Sequence, residues 1–219
     1  MTSVAPLTSD EIESGRKLFA GEWNFVAGAG ALASLPPMRG VEIAFAGRSN
    51  VGKSSLVNAL SGRRALARVS DTPGRTREIN FFAGGSDLVL VDLPGYGYAK
   101  AAREKIAAWT DLIRVYLHGR SNLARVFVLI DARHGLKEAD AEVLDLLDRA
   151  AVSYAIVLTK TDRMKEAELA ARMEGTLTAI RRRPAAFPAV FPTSAKSGAG
   201  LAELRGAIVR VLSERARLD

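Results

Sequence analysis

One segment combines glycines, a lysine and a serine at a spacing that suits phosphate binding. Residues 47–54 read Gly-Arg-Ser-Asn-Val-Gly-Lys-Ser, which matches the pattern G-x-x-x-x-G-K-[ST]. The glycines let backbone N–H groups converge on phosphate oxygens, and a helix that begins here points its positive end at them. Lys53 is expected to reach the β- and γ-phosphates, and the Ser54 hydroxyl to ligate Mg²⁺. The predicted nucleotide-binding residues of this loop are Gly47, Arg48, Ser49, Asn50, Val51, Gly52, Lys53, Ser54 and Ser55.

A second polar turn follows an apolar run further along the chain. Residues 92–95 read Asp-Leu-Pro-Gly and come directly after Leu-Val-Leu-Val. A carboxylate at the end of a strand can hold Mg²⁺, directly or through water, and a glycine amide beside it can meet the γ-phosphate. We therefore expect Asp92 and Gly95 to complete the triphosphate site, with Asp92 as a metal ligand.

Two further short motifs point to guanine as the base. Residues 159–162 read Thr-Lys-Thr-Asp and close an apolar run, and residues 194–196 read Ser-Ala-Lys after a weaker one. An aspartate can accept hydrogen bonds from both N1–H and N2–H₂ of guanine, whereas adenine has no such pair of donors. The lysine stem can pack over the base, and the second motif can offer a backbone N–H to guanine O6. The predicted base-binding residues are Thr159, Lys160, Asp162, Ser194, Ala195 and Lys196.

These motifs follow apolar runs that alternate with helical patterns. Six strands are predicted, at residues 41–46, 78–82, 87–91, 126–130, 154–158 and 188–191, with two glycines at 84–85 indicating an antiparallel hairpin. Five helices are predicted, at residues 54–60, 102–118, 139–150, 164–180 and 201–217. Such alternation is typical of a mostly parallel sheet covered on both faces, so we predict a three-layer α/β fold. Ligands of these sheets bind at the carboxyl ends of the strands, where the motifs lie.

The first 40 residues do not fit this alternation. They contain a Gly/Ala-rich stretch at 27–33 and two consecutive prolines at 36–37. We predict that residues 1–40 form an N-terminal extension packed on the domain. Residues 41–219 are predicted to form that domain, since no internal repeat or linker divides them.

Composition narrows the class of protein further. The 219 residues are 48% hydrophobic and 25% charged, which excludes a mainly disordered chain, a collagen-like fibre and a coiled-coil rod. Zero cysteines and two histidines exclude disulfides, thiol catalysis and multi-histidine metal centres. No signal peptide or long apolar span is visible, so we expect a cytoplasmic protein with no membrane partner. The net charge of +7 favours phosphate-rich partners, although a solvated basic surface is an equal alternative.

Three longer segments resemble the EngB family of bacterial GTPases, within the translation-factor class of small GTPases. They are residues 73–82 (Pro-Gly-Arg-Thr-Arg-Glu-Ile-Asn-Phe-Phe), 92–99 (Asp-Leu-Pro-Gly-Tyr-Gly-Tyr-Ala) and 131–137 (Asp-Ala-Arg-His-Gly-Leu-Lys). The resemblance implies a Ras-like P-loop fold, binding of GTP and GDP, GTP hydrolysis with Mg²⁺, and a monomer. It also implies a role in assembling the large ribosomal subunit, with ribosomal RNA and proteins as partners. The family is further expected to be needed for normal septation during cell division.

The resemblance also identifies a switch segment. It makes Thr76 the threonine whose hydroxyl binds Mg²⁺ when the γ-phosphate is present, with Gly74 and Arg75 beside the nucleotide. Residues 70–76 have few apolar anchors, so we expect a segment that orders with GTP and loosens with GDP. An ordinary mobile loop is the alternative.

The catalytic group is less clear from the residues. Many small GTPases place a glutamine after the glycine of D-x-x-G, but Tyr96 stands there, so we predict slow intrinsic hydrolysis. Asn50 suggests K⁺ near the phosphates, since a loop asparagine is shared with GTPases that use this ion to offset developing charge. Bracing of the loop by its amide is the alternative. The candidate catalytic residues are Lys53, Asn50 and Thr76.

Clustered arginines favour contact with RNA. Those near the switch segment are Arg63, Arg64, Arg68, Arg75 and Arg77, and a second cluster spans residues 181–183. Together with the net charge they favour recognition of RNA phosphates and shape rather than bases. Two other classes of function stay open here: a P-loop ATPase or kinase, and a basic RNA-binding protein with a degenerate nucleotide pocket.

Overall fold

The computed structural model of the protein describes residues 4–63, 65–67, 78–85, 87–97 and 103–217, with the backbone alone over 103–110. These residues form seven strands: β1 (Trp23–Ala29), β2 (Val41–Gly47), β3 (Ile79–Gly84), β4 (Leu88–Asp92), β5 (Leu123–Asp131), β6 (Tyr154–Thr159) and β7 (Ala186–Pro192). They also form six α-helices: α1 (Ser9–Ala20), α2 (Lys53–Ser61), α3 (Arg103–Gly119), α4 (Glu138–Arg149), α5 (Glu166–Ile180) and α6 (Leu201–Arg215).

All seven strands lie in one sheet, in the order β1-β3-β4-β2-β5-β6-β7. β4, β2, β5, β6 and β7 run parallel, while β3 is antiparallel to both β4 and β1. The parallel register pairs Phe45 with Asp92 and Asp131 with Thr159. The carboxyl ends of the central strands therefore meet at one edge of the sheet, as the motifs require.

The sheet has one strand more than the six predicted. The additional strand is β1, which pairs antiparallel with β3 at the outer edge, for example Trp23 with Gly84. Its sequence runs into the Gly/Ala-rich stretch, which has low strand propensity, so the pattern gave no strand prediction there. The predicted antiparallel hairpin of β3 and β4 is confirmed.

Two hydrophobic clusters cover the two faces of the sheet. On one face α3, α4 and α5 pack through residues such as Tyr116, Leu147 and Ile180. On the other face α1, α2 and α6 pack through residues such as Phe19 and Leu204. The predicted layering, with helices on both faces of the sheet, is therefore present.

The helix α1 lies directly against α6. A capping box of Thr8 and Glu11 begins α1, and Gly15 allows close approach, since a Cβ there would lie 2.7 Å from the backbone carbon of Arg205. The N-terminal segment thus contributes a helix and a strand to the packed structure. Among the described residues, none of the helices combines the length and apolar character that a membrane span requires.

Candidate functional site

The predicted phosphate loop connects the end of β2 to the start of α2. Gly47 ends the strand, and a Cβ there would lie 2.7 Å from Cγ1 of Val51. Asn50 and Gly52 have φ angles of 65° and 103°, in the left-handed region where glycine and asparagine cost least. Left-handed residues of this kind turn backbone N–H groups toward a common centre, which is the geometry of an anion-binding nest.

The lysine and the aspartate predicted for this site form a buried ion pair. Lys53 Nζ contacts Asp92 Oδ1, and both residues are less than one-tenth exposed. Asp92 ends β4 directly beside β2, which explains why it reaches the first turn of α2. Each charge compensates the other in a buried setting where neither could stand alone. Ser54, half-buried, follows Lys53 in the same turn.

The segment after Asp92 is bonded along the phosphate loop. Ser49 N donates to the carbonyl of Tyr96 at 3.0 Å, and Tyr96 N donates to the carbonyl of Gly47 at 3.3 Å. Gly95 packs against the loop so closely that a Cβ would lie 3.1 Å from Ser49 Oγ. The two predicted phosphate-binding elements therefore form one connected backbone unit.

The side chain of Tyr96 turns into the core and is 7% exposed. Its hydroxyl donates to Asp140 Oδ1 at 2.9 Å, and Arg48 Nε lies 3.3 Å from the same oxygen. Burial, followed by the charge of Asp140, raises the pKa of Tyr96 well above its usual range. Asp140 Oδ2 accepts the backbone N–H of Lys137 at 2.8 Å. The tyrosine is thus a buried hydrogen-bond donor and is not placed to orient an attacking water.

The first base-binding motif reaches back to the phosphate loop. Thr159 Oγ1 donates to the carbonyl of Val51 at 2.8 Å. Lys160, which has a left-handed φ of 59°, donates from Nζ to the carbonyl of Asn50 at 2.7 Å. Its Cε would lie 3.7 Å from a Cβ on Gly52, so the lysine stem lies over the loop. The base motif and the phosphate motif are therefore directly bonded.

The second base-binding motif positions the specificity aspartate. Ser194 is fully buried and donates from Oγ to Asp162 Oδ1 at 2.6 Å. The same hydroxyl accepts the backbone N–H groups of Lys196 at 3.2 Å and Ser197 at 3.1 Å. The hydrogen bond from Ser194 lowers the pKa of Asp162, which favours the ionised carboxylate that guanine recognition needs. Asp162 and the neighbouring Ala195 are exposed.

Sequence reasoning missed one carboxylate of this site, Asp131 at the end of β5. Its side chain is 6% exposed and lies 3.0 Å from Lys160 Nζ and 2.6 Å from an Arg133 guanidinium nitrogen. Burial raises the pKa of Asp131, but hydrogen bonds from Arg133 and Lys160 outweigh it and hold the pKa well below its usual range. An acidic residue closing an apolar run, as Asp92 does, was the pattern that could have identified it.

Several predicted residues lie outside the described ones: Arg64, Arg68, Gly74, Arg75, Thr76 and Arg77. Arg63 is exposed, as are Arg181 and Arg182. Arg183 is bound by two aspartates, with Nη1 2.7 Å from Asp145 and 2.8 Å from Asp148. Arg183 therefore links the segment that precedes β7 to α4. Its guanidinium group is already paired with two carboxylates and is not free to bind RNA phosphates.

Comparison with known proteins identifies the family. The family model described as "50S ribosome-binding GTPase" matches residues 42–160, more than half of the chain. A probable GTP-binding protein EngB from Rhodopseudomonas palustris (strain HaA2) is 60% identical over 208 residues, which cover 94% of this chain and 96% of that protein. Its counterpart from Bradyrhizobium diazoefficiens is 61% identical over 206 residues, covering 93% and 95%. The chain belongs to the EngB family of GTP-binding proteins.

Solved structures agree with the EngB assignment. A crystal structure of a probable GTP-binding protein EngB matches with a TM-score of 0.60 and 26% identity, covering 80% of this chain and 100% of that one. Era from Aquifex aeolicus, bound to GDP and AlF₄⁻, matches with a TM-score of 0.64 and 22% identity, covering 80% of this chain and 57% of Era. The fold is that of a Ras-like P-loop GTPase.

Membership of the EngB family establishes which reaction the protein catalyses. The protein binds GTP and GDP and hydrolyses GTP, as a GTPase. This excludes the P-loop ATPase or kinase that the sequence pattern left open. It also argues against a degenerate pocket, because Lys53 is paired with Asp92 and Asp162 is held by Ser194, so the residues that such a pocket would have lost are in place.

Proposed function

We propose that this protein is a nucleotide-dependent switch in the assembly of the large ribosomal subunit. The observation that carries the proposal is the match to a family model described as a 50S ribosome-binding GTPase, over residues that include the phosphate loop and both Asp92 and Lys160. A net charge of +7 supports contact with ribosomal RNA and proteins. The proposal includes a cytoplasmic monomer that is needed for normal septation. Residues 41–219 would form the GTPase domain and residues 1–40 the extension packed on it.

Magnesium is the metal that suits the oxygen donors of this site. The protein offers the Asp92 carboxylate and the Ser54 hydroxyl, and the family resemblance adds Thr76. No group of three or more His, Cys, Asp or Glu side chains lies together in the part of the chain that the structure describes. This fits Mg²⁺, which binds through one or two protein oxygens together with phosphates and water. When bound, the ion would neutralise charge on the phosphates.

We infer that nucleotide binding exchanges the partner of Lys53. Its ammonium group contacts Asp92, and the β- and γ-phosphates are competing anions for the same donor. Transfer of Lys53 to the phosphates would leave the Asp92 carboxylate available to the metal. The burial of the pair supports this exchange, because neither charged group would then remain buried without a partner.

Slow intrinsic hydrolysis is the rate behaviour that the site supports. The residue in the glutamine position is Tyr96, whose hydroxyl donates to Asp140 in the core. Lys53 and Thr76 are left to stabilise charge on the transferred phosphate, and we propose that K⁺ beside Asn50 assists. Asn50 is exposed, and within the described residues its side-chain amide makes no hydrogen bond, which supports contact with an added ligand.

The test is co-sedimentation of the protein with purified large ribosomal subunits, with a non-hydrolysable GTP analogue or GDP in parallel. We expect binding with the analogue and little with GDP, since the γ-phosphate would order the switch segment. Lys53→Ala serves as the control. Without the lysine that holds the phosphates, this variant should sediment with the subunits equally little in the presence of either nucleotide. Equal sedimentation of the unmodified protein with analogue and GDP would exclude the switch.

A further inference from the structure

A groove of about 740 Å³ runs along α5, outside the nucleotide site. One wall is the loop from β5 to α4, and the other is α5 together with the short helical turn that precedes it. Residues of the phosphate loop, of the 92–95 segment and of the 194–196 motif take no part in its lining. The groove therefore has a lining of its own, although it borders the base-binding motif, since Arg163 directly follows Asp162.

Positive charge dominates this groove. Arg133, Arg163 and Arg172 line it, against a single carboxylate, Glu168. Glu168 Oε2 already accepts the backbone N–H of Lys165 at 3.3 Å. Within the described residues neither Arg163 nor Arg172 forms a direct ion pair with a carboxylate, and the carboxylate whose charge Arg163 feels is the neighbouring Asp162 of the base-binding motif. The net charge of the lining is positive, and a bound anion would find two guanidinium groups that no carboxylate of the described chain binds directly.

The third arginine, Arg133, shares its carboxylate partner with a lysine. Arg133 binds Asp131 with both Nε, at 2.9 Å, and Nη2, at 2.6 Å. The same carboxylate lies 3.0 Å from Lys160. One negative charge therefore faces two cations, so this corner of the groove also remains positive.

The walls of the groove are held in place before any ligand binds. Gly135 has a φ of 66°, and Arg172 packs over it so closely that a Cβ would lie 2.1 Å from Nη1. Arg172 Nη2 also donates to the carbonyl of Arg133 at 3.4 Å. On the floor, small residues such as Ala171 and Gly175 let a ligand approach the backbone of α5. From residue 168 to residue 179 the helix spans about 16 Å.

We propose that this groove binds the sugar-phosphate backbone of RNA. Guanidinium groups match phosphate oxygens in a planar, two-pronged geometry and are the residues of choice for this ligand. The lining has no aromatic side chain, which disfavours both base stacking and the aromatic anchors typical of protein interfaces. The proposal rests on the ribosomal function proposed above and names the surface that would contact ribosomal RNA.

The experiment measures binding of in vitro transcribed large-subunit ribosomal RNA to the full chain over a range of salt concentrations. We choose Arg163→Ala because the side chain is exposed, and Arg39→Ala as the matched control, since Arg39 is also exposed but precedes β2, near the amino ends of the parallel strands, whereas Arg163 follows the carboxyl end of β6. Loss of one phosphate contact should weaken binding about sixfold at 0.1 M salt and reduce the slope of log K against log salt by about 0.7 to 0.9. Arg39→Ala should change neither, and Arg163→Lys should restore the slope.

The outcomes separate this proposal from the switch function. Identical affinity and salt slope for Arg163→Ala and the unmodified protein would overturn the proposal that the groove binds RNA. A failure of the unmodified protein to bind the RNA would overturn it as well. An equal loss of affinity for fluorescent GDP in Arg163→Ala would also overturn it, because the arginine would then act through the nucleotide site. RNA binding that depends on Arg163, combined with subunit binding that ignores the nucleotide, would support the groove and exclude the switch.

Discussion

Lys160 Nζ lies 2.7 Å from the carbonyl oxygen of Asn50, so the lysine of the base-binding motif is bonded to the phosphate loop. Asp131, 3.0 Å away, holds the same ammonium group from the other side. Base recognition and phosphate recognition are therefore parts of one hydrogen-bonded network. A change at the base-binding end should consequently affect how long the phosphates are retained.

Asp131→Asn should accelerate release of GDP. The substitution removes the charge that positions Lys160 and Arg133 while preserving the size of a side chain that is buried. We expect about tenfold faster release, equivalent to about 1.4 kcal/mol in the barrier. Stopped-flow fluorescence of a labelled GDP measures this rate. Asp145→Asn is the matched control, because Asp145 pairs with Arg183 away from the site; equal rates in the two variants would contradict the positioning role of Asp131.

Asp162→Asn should change the base that the site prefers. A carboxylate accepts from N1–H and N2–H₂ of guanine, whereas an amide can donate to the 2-oxo group of xanthine. We expect about a 100-fold loss of GDP affinity and a gain for xanthosine diphosphate. Ser194→Ala, which removes only the hydrogen bond to Asp162, should show a smaller loss without any gain for xanthosine. Titration calorimetry with both nucleotides tests this, and unchanged GDP affinity would exclude Asp162 from base recognition.

Potassium should accelerate hydrolysis if Asn50 helps to hold it. We expect GTP turnover on large subunits to be several-fold faster in K⁺ than in Na⁺ at equal ionic strength, because the ion would offset charge that develops on the phosphates. Asn50→Ala should remove the difference between the two salts. Phosphate release in matched chloride buffers gives the rates. Equal rates for the unmodified protein in both salts would rule out the potassium role.

Gly15→Ala should destabilise the fold by forcing α1 away from α6. The new Cβ would lie 2.7 Å from the backbone carbon of Arg205 and 2.8 Å from the backbone nitrogen of Gly206, neither of which can rotate aside. We expect a loss of about 2 kcal/mol in the free energy of unfolding. Gly175→Ala, in a helix position where an added Cβ would meet no atom outside the helix's own backbone within 4 Å, should instead be neutral or slightly stabilising. Urea unfolding compares the two, and a neutral Gly15→Ala would refute the close packing.

The pair of Glu11 and Arg210 should make stability depend on pH. Hydrogen bonds from Arg210 outweigh partial burial and lower the pKa of Glu11 from 4.5 to about 2. Because the folded-state pKa is depressed, the stabilisation is fully present above pH 4.5 and is lost as the pH falls toward 2. Glu11→Gln should therefore cost about 1 kcal/mol at pH 7, a value reduced for solvent screening, and progressively less below pH 4.

Thermal unfolding at several pH values measures this difference. Glu13→Gln is the control, since Glu13 pairs with Arg16 on an exposed surface where salt bridges contribute little. A difference between Glu11→Gln and the unmodified protein that persisted unchanged at pH 2.5 would contradict the ionic origin of the stabilisation.

The chemistry of the nucleotide site could be predicted because it is encoded in short segments. Each motif carries a local pattern of glycine, lysine or acidic residues after an apolar run. The motifs are residues 47–54, 92–95, 159–162 and 194–196. Their meeting point also followed from sequence, because the carboxyl ends of parallel strands share one edge of the sheet. Five of the six α-helices and six of the seven strands followed from the spacing of apolar residues, whereas α1 was not predicted.

The remaining features were decided by contacts between residues far apart in the chain. The strand β1 exists through pairing with β3, since Trp23, Phe25 and Val26 favour a strand but its last three residues are alanine and glycine, which have little strand preference of their own. Whether a polar side chain is buried, paired or free also depends on its neighbours in space. Asp131 contacts both Lys160 and Arg133, and the Tyr96 side chain points into the core, where it donates to Asp140. Sequence patterns record local geometry and periodicity, whereas these partners meet only when the sheet and its helices pack, because charge and hydrogen-bond compensation in a buried setting is a property of the assembled structure.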